Sequence, residues 1–266
     1  MGGSPTLWGM TEMDFSKTFL ERKSVRAYEE RPVPADVKAR VLEAALRAPT
    51  AGNMMLYTIL DIGEQALKDR LAETCDRQPF IARAPWVLVF LADYARMMAF
   101  FEASGVSERC RREGKDLVKP RESDLLLACC DALIAAQTAV CAAESLGLGS
   151  CYIGDVMENW ETHRELLALP RYTFPISMLC LGYPTAQQAA RAQPARLPAS
   201  VIVLKDRYAL PTDEALASLY TGEGYGAFVP TATAENPGQA LYDRKFSAGF
   251  SLEMRRSVAS MLEDWR

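Results

Sequence analysis

The sequence predicts an α+β fold in which helices cover both faces of one sheet. Three observations carry that reading. Apolar residues recur at helical spacing over several long stretches, a few short apolar runs read as strands, and no stretch between them has the composition of a linker.

The elements follow in order. Asp14 is positioned to cap a short helix running to about Glu21, and the segment from Arg22 to Tyr28 breaks the helical pattern. Pro32 and Pro34 mark a turn, and Val37, Val41, Leu42, Ala45 and Leu46 give a helical stripe over Ala35 to Arg47, ended by Pro49. Ala48 to Asn53 is a loop by turn chemistry. Leu56 to Ile62 reads as a strand, Glu64 to Glu73 as a helix, Trp86 to Ala92 as a fully buried strand, and Tyr94 to Ser104 as a helix. Ser107 to Lys119 is polar and charged, which predicts a loop. Glu122 to Leu146 is the longest helix, rich in Ala, Leu and Cys, with polarity sparse enough to predict burial on most sides. A strand at Ser150 to Ile153, a helix at Trp160 to Ala168 and strands at Ile176 to Gly182 and Val201 to Leu204 follow. After Pro211 come a short helix, a Gly-rich stretch from Gly222 to Gly226 and a terminal amphipathic helix near Leu252 to Trp265.

Charge and composition narrow the function. Thirty basic against thirty-four acidic residues leave a net charge of -4, which argues against a nucleic-acid partner. The apolar run Leu125 to Ala143 is interrupted by Asp131, Gln137 and Thr138, which argues against a membrane span. The seven cysteines contain no Cys-x-x-Cys pair, so reduced thiols in a cytoplasmic protein are expected, and no targeting segment is visible at the N-terminus. The single histidine, His163, lies in a polar helical stretch and is expected to be a solvated surface residue. Zinc sites and Ser-His or Cys-His nucleophile pairs find little support, and no Walker or Rossmann glycine pattern occurs.

Three constellations carry chemistry. Arg22, Ser24 and Arg26 are spaced two apart, so in an extended segment they share a face, where two guanidinium forks and a hydroxyl suit a phosphate. A solvated basic turn has the same composition. In Ala48 to Asn53, small residues and Gly52 allow close backbone approach to a ligand, while Thr50 and Asn53 offer polar contacts; an ordinary helix-to-strand turn uses the same residues. Gly149 to Asp155 joins the long helix to a strand end and a turn at Gly154, where a backbone N–H can donate to a flat cofactor, as at any strand terminus. Cys151 within it reads as a packing thiol.

In order and interval these segments resemble the FMN-dependent nitroreductase family, from about Phe15 to Tyr208. Glu21-Arg22-Lys23-Ser24-Val25-Arg26 resembles the family's Arg-x-Ser-x-Arg motif for the FMN phosphate. Ala48-Pro49-Thr50-Ala51-Gly52-Asn53 resembles its Ala-Pro-Ser-x-x-Asn loop beside the flavin, with Met55 where relatives often carry a polar residue. Gln78-Pro79-Phe80 is similar to the segment whose glutamine contacts the ring, and Tyr152-Ile153-Gly154 to the stretch whose backbone faces its reactive edge. Asp155 stands where many relatives have a second glycine, and Arg196 resembles a late phosphate contact whose neighbouring lysine is absent here.

The resemblance implies a three-layer α-β-α sandwich around a central mixed, mainly antiparallel sheet. It implies a single nitroreductase-like domain over residues 1–266, with a core at 13–208 and an extension at 209–266 that wraps a partner subunit. It implies a homodimer with FMN at the subunit interface and no catalytic side chain, the flavin doing the chemistry. NADH or NADPH would donate electrons, and a nitroaromatic, quinone or flavin would accept them in a ping-pong cycle. The same residues also suit a flavoenzyme of other chemistry, such as dehalogenation or flavin fragmentation, and a flavin-binding protein without turnover.

Overall fold

A computed structural model describes residues 16–194, 196–219, 230–231 and 233–265. A helical turn at Ser16–Leu20 leads to α1 (Ala35–Leu46), β1 (Tyr57–Ile62), α2 (Gln65–Thr74), α3 (Pro79–Arg83) and β2 (Trp86–Asp93). Then come α4 (Ala95–Ala103), α5 (Val106–Arg112), α6 (Glu122–Ser145), β3 (Gly149–Ile153), α7 (Trp160–Leu166) and β4 (Thr173–Gly182). The remainder holds α8 (Ala186–Ala190), α9 (Ala199–Ile202), α10 (Asp213–Leu219), α11 (Pro237–Leu241) and α12 (Gly249–Trp265). The chain divides into two compact units, residues 1–190 with 254–266, and residues 191–253.

In the first unit the four strands are ordered β1-β2-β4-β3, and every neighbouring pair is antiparallel. The parallel component of the expected mixed sheet is an isolated bridge between Ser24 and Ser150. β2 lies inside the sheet and is buried along its whole length, so its side chains feed two cores alternately. Trp86, Leu88 and Phe90 face α1 and α6, where Ala132, Ala135, Ala136 and Ala139 let the long helix approach closely. Val87, Val89 and Leu91 face the opposite core with Leu71, Ile81, Met178 and Trp160. These are the three layers.

The end of α12 closes the second core. Met261 and Trp265 are buried there, Trp265 meets Tyr172 edge-on at 5.6 Å, and its Nε1–H donates to the Arg121 carbonyl at 3.1 Å. The Ser257 hydroxyl accepts the Trp160 N–H at 2.8 Å, and Arg256 makes two hydrogen bonds to the Glu161 carboxylate at 3.0 and 2.8 Å. Residues 254–265 of the expected wrapping extension therefore pack on their own subunit. An amphipathic helix must bury its apolar stripe, and this chain supplies the partner surface itself.

Two sequence expectations about secondary structure are corrected. Ser107 to Lys119 is not all loop, because α5 occupies Val106–Arg112 as an exposed polar helix. Val201 to Leu204 is not a strand: the chain makes one helical turn at Ala199–Ile202 and leaves Ile202 and Val203 exposed, with no strand paired to them among the described residues. The short helices α3, α8 and α11 fall below the length at which periodicity is legible. Asp14 and the Gly222 to Gly226 stretch lie outside the described residues.

Candidate functional site

The Arg22 to Arg26 segment is extended and lies against β3. The Val25 N–H donates to the Ser150 carbonyl at 2.9 Å, and Ser24 bridges the same residue. Gly149 makes the approach possible, since a Cβ there would sit 2.5 Å from Val25 Cγ2. The buried Tyr28 hydroxyl holds the next turn, sharing its proton between the carbonyls of Val25 at 2.7 Å and Cys180 at 2.9 Å. Burial and the neighbouring thiols push that hydroxyl far above its ordinary titration range.

With Val25 turned inward, its neighbours face out. Arg22 Nη1 donates to Ser150 Oγ at 3.5 Å, and Ser150 Oγ donates to Glu144 at 2.8 Å. Burial raises the Glu144 pKa, opposed by the Ser150 hydrogen bond and the Arg22 charge. The Arg26 guanidinium carbon lies 6.0 Å from the centre of the Phe80 ring. Lys23 is directed to the Ala189 carbonyl at 2.5 Å, on α8.

Gln78 caps α3, two residues before Phe80. Two successive non-glycine residues ahead of it, Asp76 and Arg77, have left-handed φ of 53° and 49°, a conformation that costs about 1–2 kcal/mol per residue. The turn is held from the segment after β3. Gln78 Nε2 donates to Asp155 Oδ2 at 2.7 Å, Asn159 Nδ2 donates to the Thr74 carbonyl at 2.8 Å, and His163 Nε2 lies 2.7 Å from Thr74 Oγ1. His163 is fully buried, with Nδ1 2.9 Å from the Val156 carbonyl. The expectation of a solvated histidine is thus corrected: a polar stretch marks a helix face, and His163 occupies the other one. Burial lowers its pKa.

These contacts bring Arg22, Ser24, Arg26, Gln78 and the β3 end at Gly154 into one neighbourhood. Within it, Tyr152 donates its hydroxyl to Gln137 at 3.3 Å, Ile153 is a core side chain whose backbone continues to an exposed Gly154, and Cys151 is wholly buried as a packing thiol.

The Ala48–Asn53 loop is anchored elsewhere. Asp131 on α6, 2% exposed, accepts the Ala51 N–H at 2.9 Å and the Leu56 N–H at 3.1 Å. Thr50 Oγ1 accepts the Met55 N–H at 3.3 Å, and Arg96 on α4 donates to the Met55 carbonyl. Gly52, Asn53 and Met55 all take positive φ, so the loop is tightly folded, with Pro49 and Asn53 outward. Arg196 belongs to the second unit, where its Nη1 donates to the Pro194 carbonyl at 3.3 Å. Sequence reasoning missed the roles of Asp131, Glu144 and Ser150. A lone carboxylate in an apolar helix was the available signal for Asp131.

The nitroreductase family model matches residues 20–183, a span that contains every site segment except Arg196. This chain belongs to the nitroreductase family. Among nitroreductase relatives, it is 33% identical over 192 residues to "FMN reductase [NAD(P)H]" of Bacillus subtilis (strain 168), covering 72% of this chain and 73% of that protein. It is 31% identical over 200 residues to "Oxygen-insensitive NADPH nitroreductase" of Salmonella typhimurium, covering 74% and 75% of the two chains. The solved structure of B. megaterium NfrA1 superposes with a TM-score of 0.74 at 26% identity, over 92% of this chain and 96% of that one.

Proposed function

We propose that this nitroreductase-family chain is an FMN-dependent oxidoreductase that takes electrons from NADH or NADPH and passes them to a small acceptor such as a nitroaromatic, quinone or flavin. One observation carries the reading: the Arg22–Arg26 segment is pinned to β3 beside Gln78 and Gly154, which puts two guanidinium groups, an amide and a free-facing backbone turn around one edge of the fold. These groups, cations and backbone donors with one amide oxygen as acceptor, fit a flat ring with an anionic tail. The names of the two relatives support the flavin and the nicotinamide donor.

In this reading Arg22, Ser24 and Arg26 hold the phosphate, with Lys23 as a further cation on the same segment. The backbone at Tyr152, Ile153 and Gly154 faces the ring, and Gln78 bonds its polar edge. When bound, FMN supplies the hydride and electron chemistry. The side chains orient donor and acceptor in turn on the same face, and none serves as acid or base.

The Pro49, Thr50, Ala51, Asn53 and Met55 contacts come from a second subunit. β1 and β3 are opposite edges of the sheet, three spacings of roughly 4.8 Å apart, which supports an FMN position at a subunit interface. α6 supports the homodimer: Leu126, Leu127, Leu133 and Ile134 are exposed at helical spacing, an apolar stripe that a second copy would cover. Residues 209–253 of the extension would wrap that partner. No disulfide joins any of the cysteines among the described residues, which supports a reducing, cytoplasmic location.

The test is an absorbance spectrum of the purified protein before and after NADPH under anaerobic conditions. Flavin bands that bleach with NADPH and recover with a quinone are the expected result. A colourless protein that takes up no added FMN overturns the reading, and bands that NADPH leaves unchanged overturn its catalytic half.

A further inference from the structure

Asp155 is joined to Gln78 in a way that fixes which end of the Gln78 amide meets a ligand. Gln78 Nε2 donates to Asp155 Oδ2 at 2.7 Å and to the Cys75 carbonyl at 3.1 Å. An amide nitrogen carries two hydrogens, and both are thereby committed. The reversed amide would set its oxygen against a carboxylate and a carbonyl, three acceptors facing one another. What the side chain has left to offer is the oxygen, an acceptor. Asp155 is half-buried directly after Gly154, so its negative charge stands at the same turn.

We propose that Asp155 is a positioning residue that makes Gln78 an obligate acceptor toward the ring N3–H and lowers the reduction potential of the bound flavin. The inference rests on the FMN reading above. The pyrimidine edge of an isoalloxazine alternates acceptors with one donor, N3–H, and an amide oxygen pairs with that donor alone. Reduction adds negative charge to the ring, and a fixed carboxylate at the adjoining turn opposes it. A glycine at this position would leave the amide only its hydrogen bond to the Cys75 carbonyl and the turn uncharged.

The experiment uses the FMN-loaded full chain and the variants Asp155→Asn and Asp155→Gly. Asn keeps an acceptor for Gln78 Nε2 and removes the charge; Gly removes both. Midpoint potentials are read by equilibration with reference dyes, FMN affinity by fluorescence titration, and the N3–H by NMR with 15N-labelled FMN. Asp155→Asn is expected to favour the reduced flavin by roughly tenfold, about 30 mV for a two-electron couple, with the N3–H resonance unmoved and affinity unchanged. Asp155→Gly is expected to shift the potential in the same direction, move the N3–H resonance toward its solvent position, and weaken FMN about threefold to tenfold, the loss of one hydrogen bond. FMN that stays bound with potential and N3–H resonance unchanged in both variants overturns this inference while leaving the FMN reading intact. Failure of the unsubstituted chain to bind FMN overturns both.

Discussion

Asp131 holds Ala51 from across the fold: its Oδ1 accepts the Ala51 N–H at 2.9 Å while its other oxygen takes the Leu56 N–H at 3.1 Å. One buried carboxylate thus fastens both ends of the loop that precedes β1. Asp131→Ala strands both N–H groups, at about 1–3 kcal/mol each. The expected loss is roughly 2–5 kcal/mol in urea unfolding, with faster amide exchange across residues 51–56. Asp131→Asn keeps one acceptor and should lose about half as much.

The phosphate assignment is read by flavin retention. Arg22→Ala is expected to weaken FMN binding by about tenfold to a hundredfold, the worth of a hydrogen bond to a charged group, and the Arg22→Ala/Arg26→Ala double variant to purify without flavin. Arg22→Lys keeps the charge and loses the fork, so its affinity should fall between those of the unsubstituted chain and Arg22→Ala. Full FMN occupancy in the double variant would refute the assignment.

Val25 and Gly149 test the seat of the arginine segment without touching an arginine. Gly149→Ala places a methyl 2.5 Å from Val25 Cγ2 and should cost about 1–3 kcal/mol of stability, together with FMN affinity. Adding Val25→Gly removes all three contacts, at 2.5, 2.9 and 3.2 Å, so the double variant is expected to regain affinity that the single variant lost. A fluorescence titration of the pair against each single variant gives the coupling.

His163 gives a pH dependence with a definite sign. Its folded pKa lies below the ordinary 6.5 because burial disfavours the imidazolium. Between the folded value and 6.5 the unfolded chain binds the extra proton, so stability is complete above 6.5 and declines as pH falls through that window. His163→Asn should be less stable at neutral pH, having lost a packed ring bonded at both nitrogens, and should flatten this part of the curve. Urea midpoints measured from pH 5 to 8 check both effects.

The exposed stripe of α6 is tested by charge. Leu126→Glu with Ile134→Glu is expected to leave a folded chain that sediments as a monomer and binds FMN weakly, because the proposed Pro49 to Met55 contacts would be lost with the second copy. A dimer that persists with both glutamates in place would move the interface off α6.

The sheet was legible because strands inside it are continuous apolar runs: Trp86 to Ala92 needs no periodicity to be recognised, and burial on both faces follows from the absence of polar residues. Polarity was a weaker guide. It made α5 look like a loop, because a short exposed helix and a loop share a composition, and it placed His163 on the wrong face of α7. Branched apolar residues made Val201 to Leu204 look like a strand, although strand formation needs a neighbour as well as a propensity. At the site, the two-residue spacing of Arg22, Ser24 and Arg26 was readable as one face. Their link to Ser150 and Glu144 was not, since it spans 128 residues for Arg22 and Ser150 and follows from sheet topology alone.

A chain of 266 residues with one histidine carries a built-in reporter. The His163 ring bridges Val156 and Thr74, so its two ring-proton signals, unobscured by any other imidazole, follow the strained turn that orients Gln78. Those two NMR lines would thus show whether a ligand, a substitution or a partner reshapes that corner of the molecule, with no chemical tag added beside Gln78.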